Sequence, residues 1–160
     1  MRRSVKNRFI PALVFSVLLL LSSCGYPGDA VRFSVGKYTH CEWYSSGGFQ
    51  DYTDYGKFYY DSADLAKKPY FRKIQDSDMP ILDAHLDDFE NWIDLLRGDS
   101  DPQELVEHYD FDRSIIDRGD YLYIESESRT WSDGHTSLVN YNIHFFDTQT
   151  NTLFYFHNNI

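Results

Sequence analysis

The side chains best equipped for chemistry are six histidines: His40, His85, His108, His135, His144 and His157. None is spaced as HxH, HxxxH or HExxH, so the sequence carries no zinc signature. Asp99-Ser100-Asp101 opens like a calcium loop. Its sixth position, where a glycine is needed, is Glu104, and its twelfth is Asp110 rather than a glutamate. No metal and no cofactor is therefore expected. Nucleophile motifs of the GxSxG or Ser/Lys type are also missing. His40 precedes Cys41, but neighbouring strand residues point to opposite faces, so this imidazole is a poor base for that thiol. Cys41 reads instead as a small buried hydrophobe without a disulfide partner. That leaves His144 and His157, which lie in alternating segments where a nearby carboxylate could poise a histidine near neutral pH.

The elements that position these two histidines form a C-terminal meander. Tyr121 to Glu127 alternates, with Leu122 and Ile124 facing one way and Tyr121, Tyr123 and Glu125 the other. Trp131-Ser132-Asp133-Gly134 reads as a turn. Two further strands, about 137–146 and 153–158, flank Thr148-Gln149-Thr150-Asn151. Pairing Asp147 with Thr152 sets the register of the last hairpin. Phe146 then opposes Leu153, Phe145 opposes Phe154, His144 opposes Tyr155, Ile143 opposes Phe156 and Asn142 opposes His157. Opposed residues share a face. One face, Tyr141, Ile143, Phe145, Phe154 and Phe156, is the core side. The other holds Asn142, His144, Phe146, Leu153, Tyr155 and His157. A slip by one residue would scramble this division. The candidate ligand-binding set is Tyr123, Asn142, His144, Tyr155 and His157, either an open binding face or a face covered by other segments.

The cover for the core side is the clearest helix, from about Asp78 to Leu96. Ser77 or Asp78 can cap it, and Pro80 fits its first turn. Ile81, Leu82, Leu86, Phe89, Trp92, Ile93 and Leu96 form one stripe, with Asp83, Asp87, Glu90, Asn91 and Asp94 opposite. Gly98 ends it. A shorter helix, Pro102 to about His108, follows an Asp101 cap. Upstream, residues 31–44 read as one or two strands, Ser45 to Gly48 as a loop, and Lys57 to Asp61 as a further strand. A helix near Ser62 is ended or kinked by Pro69. Together these predict an α+β domain: a curved antiparallel sheet with a C-terminal meander, packed on one face by a long amphipathic helix and shorter helices.

Composition narrows the function classes. The 160 residues carry 15 Lys and Arg against 25 Asp and Glu. Four of the basic residues lie in the first eight, so residues 24–160 have a net charge of 11 − 25 = −14. Such a surface repels nucleic acid and favours cationic partners, such as a basic protein or peptide. The aromatic content of 18% is too high for a disordered chain.

The N-terminus specifies an address. Arg2, Arg3, Lys6 and Arg8 precede an apolar run from Phe9 to Leu21, a charged n-region and an h-region of signal-peptide length. That run is shorter than the ~20 apolar residues a membrane span needs. Leu21-Ser22-Ser23-Cys24 resembles the lipobox of bacterial lipoproteins. The resemblance implies cleavage before Cys24, lipidation (palmitate among the acyl chains) of Cys24, and anchoring to the extracytoplasmic face of the bacterial cell membrane. Residues 1–23 are then a lipoprotein signal peptide, 24–30 a lipidated tether, and 31–160 a single domain. The pattern of Tyr70-Phe71-Arg72-Lys73-Ile74, Pro80-Ile81-Leu82, Phe89, Trp92 and Thr152 to Asn159 loosely resembles small uncharacterised lipoproteins of gut Gram-positive bacteria. This implies no functional residues. The expected function is a lipid-anchored, non-catalytic binding or accessory protein, with an envelope glycan, peptide or cationic protein as ligand. Two alternatives stand beside it. One is an envelope-polymer hydrolase or transferase using a sheet-face histidine. The other is an inhibitor or immunity-type protein that binds a basic partner through the acidic helix face.

Overall fold

The computed structural model describes residues 30–47, 52–98 and 103–159. The expected signal peptide, Cys24, the expected tether before Ala30, and the Asp99 to Pro102 segment lie outside the described residues. Six antiparallel strands form one open sheet: β1 (His40–Gly47), β2 (Tyr52–Tyr59), β3 (Arg72–Lys73), β4 (Tyr121–Thr130), β5 (Thr136–Asp147) and β6 (Thr152–Asn159), in spatial order β1-β2-β6-β5-β4-β3. Among the described residues, three α-helices accompany it: α1 (Ala30–Val35), α2 (Met79–Arg97) and α3 (Glu104–His108). This is the expected α+β architecture. Among the described residues, no helix is long and apolar enough to cross a membrane.

The hairpin register is the expected one. Asp147 pairs with Thr152, and Phe146, Phe145, His144, Ile143 and Asn142 meet Leu153, Phe154, Tyr155, Phe156 and His157 in turn. The Asp147 carboxylate builds the turn by accepting the Gln149 N–H at 2.8 Å and the Thr150 hydroxyl at 2.6 Å. Asn151 takes a positive φ of 54°, a conformation asparagine tolerates better than most residues. The buried Asp120 accepts both the N–H and the hydroxyl of Thr148 at 2.9 Å, tying the start of β4 to the same turn.

On the core face, Tyr141, Ile143, Phe145 and Phe156 are buried beneath Leu82, Leu86, Phe89 and Ile93 of α2. Phe89 meets Phe156 edge-on at 5.3 Å. Asp78 stands at the N-cap position, Pro80 in the first turn and Gly98 at the C-cap. The Asp78 carboxylate is spent elsewhere, on the Gln75 N–H and on Arg72. Two details of the stripe differ from expectation. Ile81 is 51% exposed, because it lies at the flank of the arc rather than at its centre. His85 is buried instead, its Nδ1–H donating to the Ile81 carbonyl at 2.7 Å.

The N-terminal half departs further from the sequence reading. Ala30–Val35 is helical, not extended. Val31 and Val35 are one turn apart and both are buried in a second apolar cluster with Phe58, Tyr60, Leu65, Phe71, Phe146 and Leu153. Strand β1 continues through Ser45 and Ser46. Strand β2 begins at Tyr52 and runs through Asp54 and Gly56, upstream of the Lys57 start expected for it. A short 3-10 turn, Leu65–Lys67, stands where a helix was expected. The shorter helix begins at Glu104, its Pro102 lying outside the described residues. Cys41 packs against the second cluster, but it is disulfide-bonded, not a lone thiol. The sequence contains one other cysteine, Cys24.

The stripe of α2 makes a graded prediction. Leu86→Ala lowers the unfolding free energy by about 2–5 kcal/mol in urea denaturation, whereas Ile81→Ser changes it by less than about 0.5 kcal/mol. Equal losses at the two positions would refute this assignment of the core face.

Candidate functional site

Because opposed residues share a face, the pairings resolve the far face into four rows across five strands. The first is Cys41, Phe58, Leu153, Phe146 and Tyr121. The second is Trp43, Gly56, Tyr155, His144 and Tyr123. The third is Ser45, Asp54, His157, Asn142 and Glu125. The fourth is Gly47, Tyr52, Asn159, Asn140 and Glu127. The face therefore grades from apolar through aromatic to polar. The apolar end is covered by α1, Leu65 and Phe71. The polar end is a cavity of about 440 Å³.

All five candidate residues, Tyr123, Asn142, His144, Tyr155 and His157, line this one cavity. The face is thus neither wholly open nor wholly covered. His144, Tyr155 and His157 are nearly inaccessible, 2%, 3% and 5% exposed, so they form its floor. Tyr52, Tyr70, Glu125, Asn140 and Asn159 complete the walls, with Ala30 and Val31 of α1 at one side. Of these, the sequence reading had reached only Glu125. Tyr52, Ala30 and Val31 were missed because β2 and α1 were misplaced, whereas Asn140 lies on the expected 137–146 strand, two residues before Asn142. Extending the opposed-pair arithmetic from Asn159 across to β2 would have found Tyr52.

The floor is held by hydrogen bonds. Asn142 Oδ1 accepts from the Tyr155 hydroxyl at 2.7 Å and from His157 Nδ1–H at 2.8 Å. Tyr155 is stacked by Trp43 at 5.2 Å and by His157 at 6.3 Å. Trp43 reaches Tyr155 only because Gly56 lies between them; a Cβ there would come within 2.9 Å of the indole. Burial pushes the His157 pKa down, against a backbone hydrogen bond to Tyr141 that raises it. Burial pushes the Asp54 carboxyl, directly opposite on β2, upward.

This geometry bears on the alternatives. Among the described residues, no Ser, Thr or Cys lines the cavity. His157 Nδ1 is held by the Asn142 amide. Arg113, after α3, binds Asp87 of α2 at 2.7 Å and Glu90 at 2.8 Å, and Arg97 binds Asp94 within α2. The acidic helix face is thereby partly neutralised from within.

A second polar cluster lies on the core side and was not foreseen. Lys57 Nζ is 2.7 Å from Glu42 and 2.8 Å from Asp110. The Tyr59 hydroxyl donates to Glu42 and the Tyr55 hydroxyl to Asp110, each at 2.9 Å. Burial alone would lower the Lys57 pKa, but the two carboxylates outweigh it and hold the ammonium charged. The hydrogen bond from Lys57 likewise lowers the Glu42 pKa. The cluster clamps the segment after α3 to β1 and β2. Among the described residues, no group of three His, Cys, Asp or Glu could hold a metal ion.

No protein-family model, curated protein or solved structure matches this chain, so function is read from the geometry alone.

The depressed His157 pKa carries a sign. The fold favours the neutral ring, so this stabilisation is complete above the unfolded value of about 6.5 and is lost as pH falls through the lower folded value. His144 on β5, Tyr155 on β6, and Tyr52 and Asp54 on β2 face the same ring. Between pH 7.5 and 5.5, the unfolding free energy falls more steeply in the wild type than in His157→Gln. Parallel pH profiles for the two proteins would contradict the shift.

Proposed function

We propose that this chain is a lipid-anchored, non-catalytic binding protein of the extracytoplasmic face of a bacterial cell membrane, with the far-face cavity as its ligand seat. The observation that carries the binding reading is the convergence of four tyrosines, three asparagines and two histidines on one cavity of about 440 Å³. That volume suits a small ligand, and the amide and aromatic groups suit a polar one. A floor of hydrogen-bonded, buried side chains is preorganised, which limits the ordering cost on binding.

The anchor reading rests on the basic start, the apolar run and Leu21-Ser22-Ser23-Cys24. It also gives the cavity a place. Ala30 lines the cavity and follows Cys24 by six residues, a span of at most roughly 20 Å. A lipid on Cys24 would hold the cavity close to the membrane surface, within reach of envelope glycans and peptides. A thioether on Cys24 and a disulfide through the same sulfur exclude each other, so in the lipidated protein Cys41 is a thiol.

Two measurements test the two halves separately. Intact mass under non-reducing conditions is expected to show loss of residues 1–23, a diacylglyceryl adduct and an alkylatable Cys41. An unmodified Cys24 joined to Cys41 would remove the anchor and leave the cavity reading standing. Thermal-shift screening of the full chain against glycan and peptide fractions of a bacterial envelope is expected to find one that stabilises it. Tyr52→Ala and Tyr123→Ala, at the cavity walls, abolish that shift without lowering the melting temperature of the unliganded protein by more than a few degrees. A shift that survives both substitutions places the ligand elsewhere.

A further inference from the structure

We infer that the far-face cavity is built for a small organic cation, a protonated amine seated against Glu125 and Asn140 between tyrosine walls. This deepens the binding reading above and depends on it. The first observation concerns charge. Among the described residues lining the cavity, Glu125 is the single carboxylate, and neither Lys nor Arg is present. Glu125 makes no ion pair with any described residue, unlike Glu42, Glu90 and Asp110 on the other side of the sheet. Glu127 is two residues along the same strand and so on the same face, lining an adjoining cavity of about 120 Å³ together with Glu125 and Asn140.

The second observation concerns hydrogen bonding. Asn140 lines both cavities, and its Oδ1 is buried without a hydrogen-bond partner among the described residues. An unsatisfied buried acceptor favours a ligand that donates. Asn142 Oδ1 is already filled by Tyr155 and His157. The acceptors left at the polar end of the cavity are Glu125 and Asn140. Among the described lining residues, an anionic ligand would meet no cationic side chain and would face Glu125. A neutral sugar would satisfy Asn140 but would make no use of the Glu125 charge, which stands exposed at the cavity rim.

The third observation concerns the walls. Tyr52, Tyr70, Tyr123 and Tyr155 border the cavity, with Tyr70 meeting Tyr123 edge-on at 5.6 Å. Aromatic rings around a carboxylate attract an ammonium through their quadrupoles. The surplus of acid over base in the chain raises the local concentration of cations further.

Amide NMR shifts of the full chain, purified in detergent with its own N-terminus, test this against matched probes: glucosamine, N-acetylglucosamine, and 1,4-diaminobutane with its diacetylated form. Both free amines are expected to give saturable shifts at Tyr123 to Glu127 and Asn140 to Asn142, and the acetylated forms to bind at least 10-fold more weakly. Glu125→Gln weakens amine binding by at least 10-fold, whereas Glu104→Gln on α3 leaves it unchanged. Equal binding of N-acetylglucosamine and glucosamine at these amides would overturn the cation assignment and keep the cavity as a binding site. Amine shifts insensitive to Glu125→Gln, or no saturation by either amine, would also overturn it. Failure of the envelope fractions as well would sink both readings.

Discussion

One constraint governs the molecule: the pairing of Asp147 with Thr152 at the turn between the two central strands. Side chains alternate along a strand with a period of two, so a one-residue slip exchanges the faces completely. Phe145 and Phe156 would then point away from α2, and His144 and His157 toward it. Two buried carboxylates prevent this. Asp147 closes the turn on Gln149 and Thr150, and Asp120 grips Thr148 from the start of β4. Strand β6 then passes the register to β2, and β5 passes it to β4. Every row of the far face inherits its composition from that one turn.

The far face shows why a cavity forms at one end only. An apolar cover gains free energy by burying apolar surface, but burying unpartnered polar groups costs roughly 1–3 kcal/mol each. Val31, Val35, Leu65 and Phe71 therefore settle over Phe58, Leu153 and Phe146. They stop where the rows become polar. The aromatic row marks the boundary. Trp43 lies flat across Gly56 to stack on Tyr155, sealing the apolar side and bracing the cavity floor. The two clusters thus meet along a line set by the sequence of single strands.

The period-two alternation of 121–127 and 137–158 made the meander, its register and both of its faces readable, and with them six cavity residues. The 3.6-residue spacing of Leu82, Leu86, Phe89 and Ile93 likewise revealed α2. What escaped was local structure that tertiary contact overrides. Ala30–Val35 is rich in β-branched and aromatic residues, yet it is a helix because Val31 and Val35 reach the second cluster only at helical spacing. Asp54 and Gly56 looked like strand breakers. They are tolerated because β2 is paired on both sides and because Trp43 needs the space above Gly56. The Lys57 cluster joins residues 42, 57 and 110 through space, so no pattern along the chain could announce it.

The placement of α1 links the covered end of this face to the cavity. A six-residue helix has no independent stability in water, so its position depends on what it touches. Val31 and Val35 are buried in the apolar cluster. The Arg32 guanidinium lies 4.6 Å from the Phe33 ring and 4.8 Å from the Phe58 ring, a favourable contact for a planar cation. Ala30 and Val31 also line the cavity. The same short element therefore fixes one wall of the cavity and the point at which the chain leaves for Cys24. Cavity shape and the placement of this weakly autonomous helix are in this way a single structural variable.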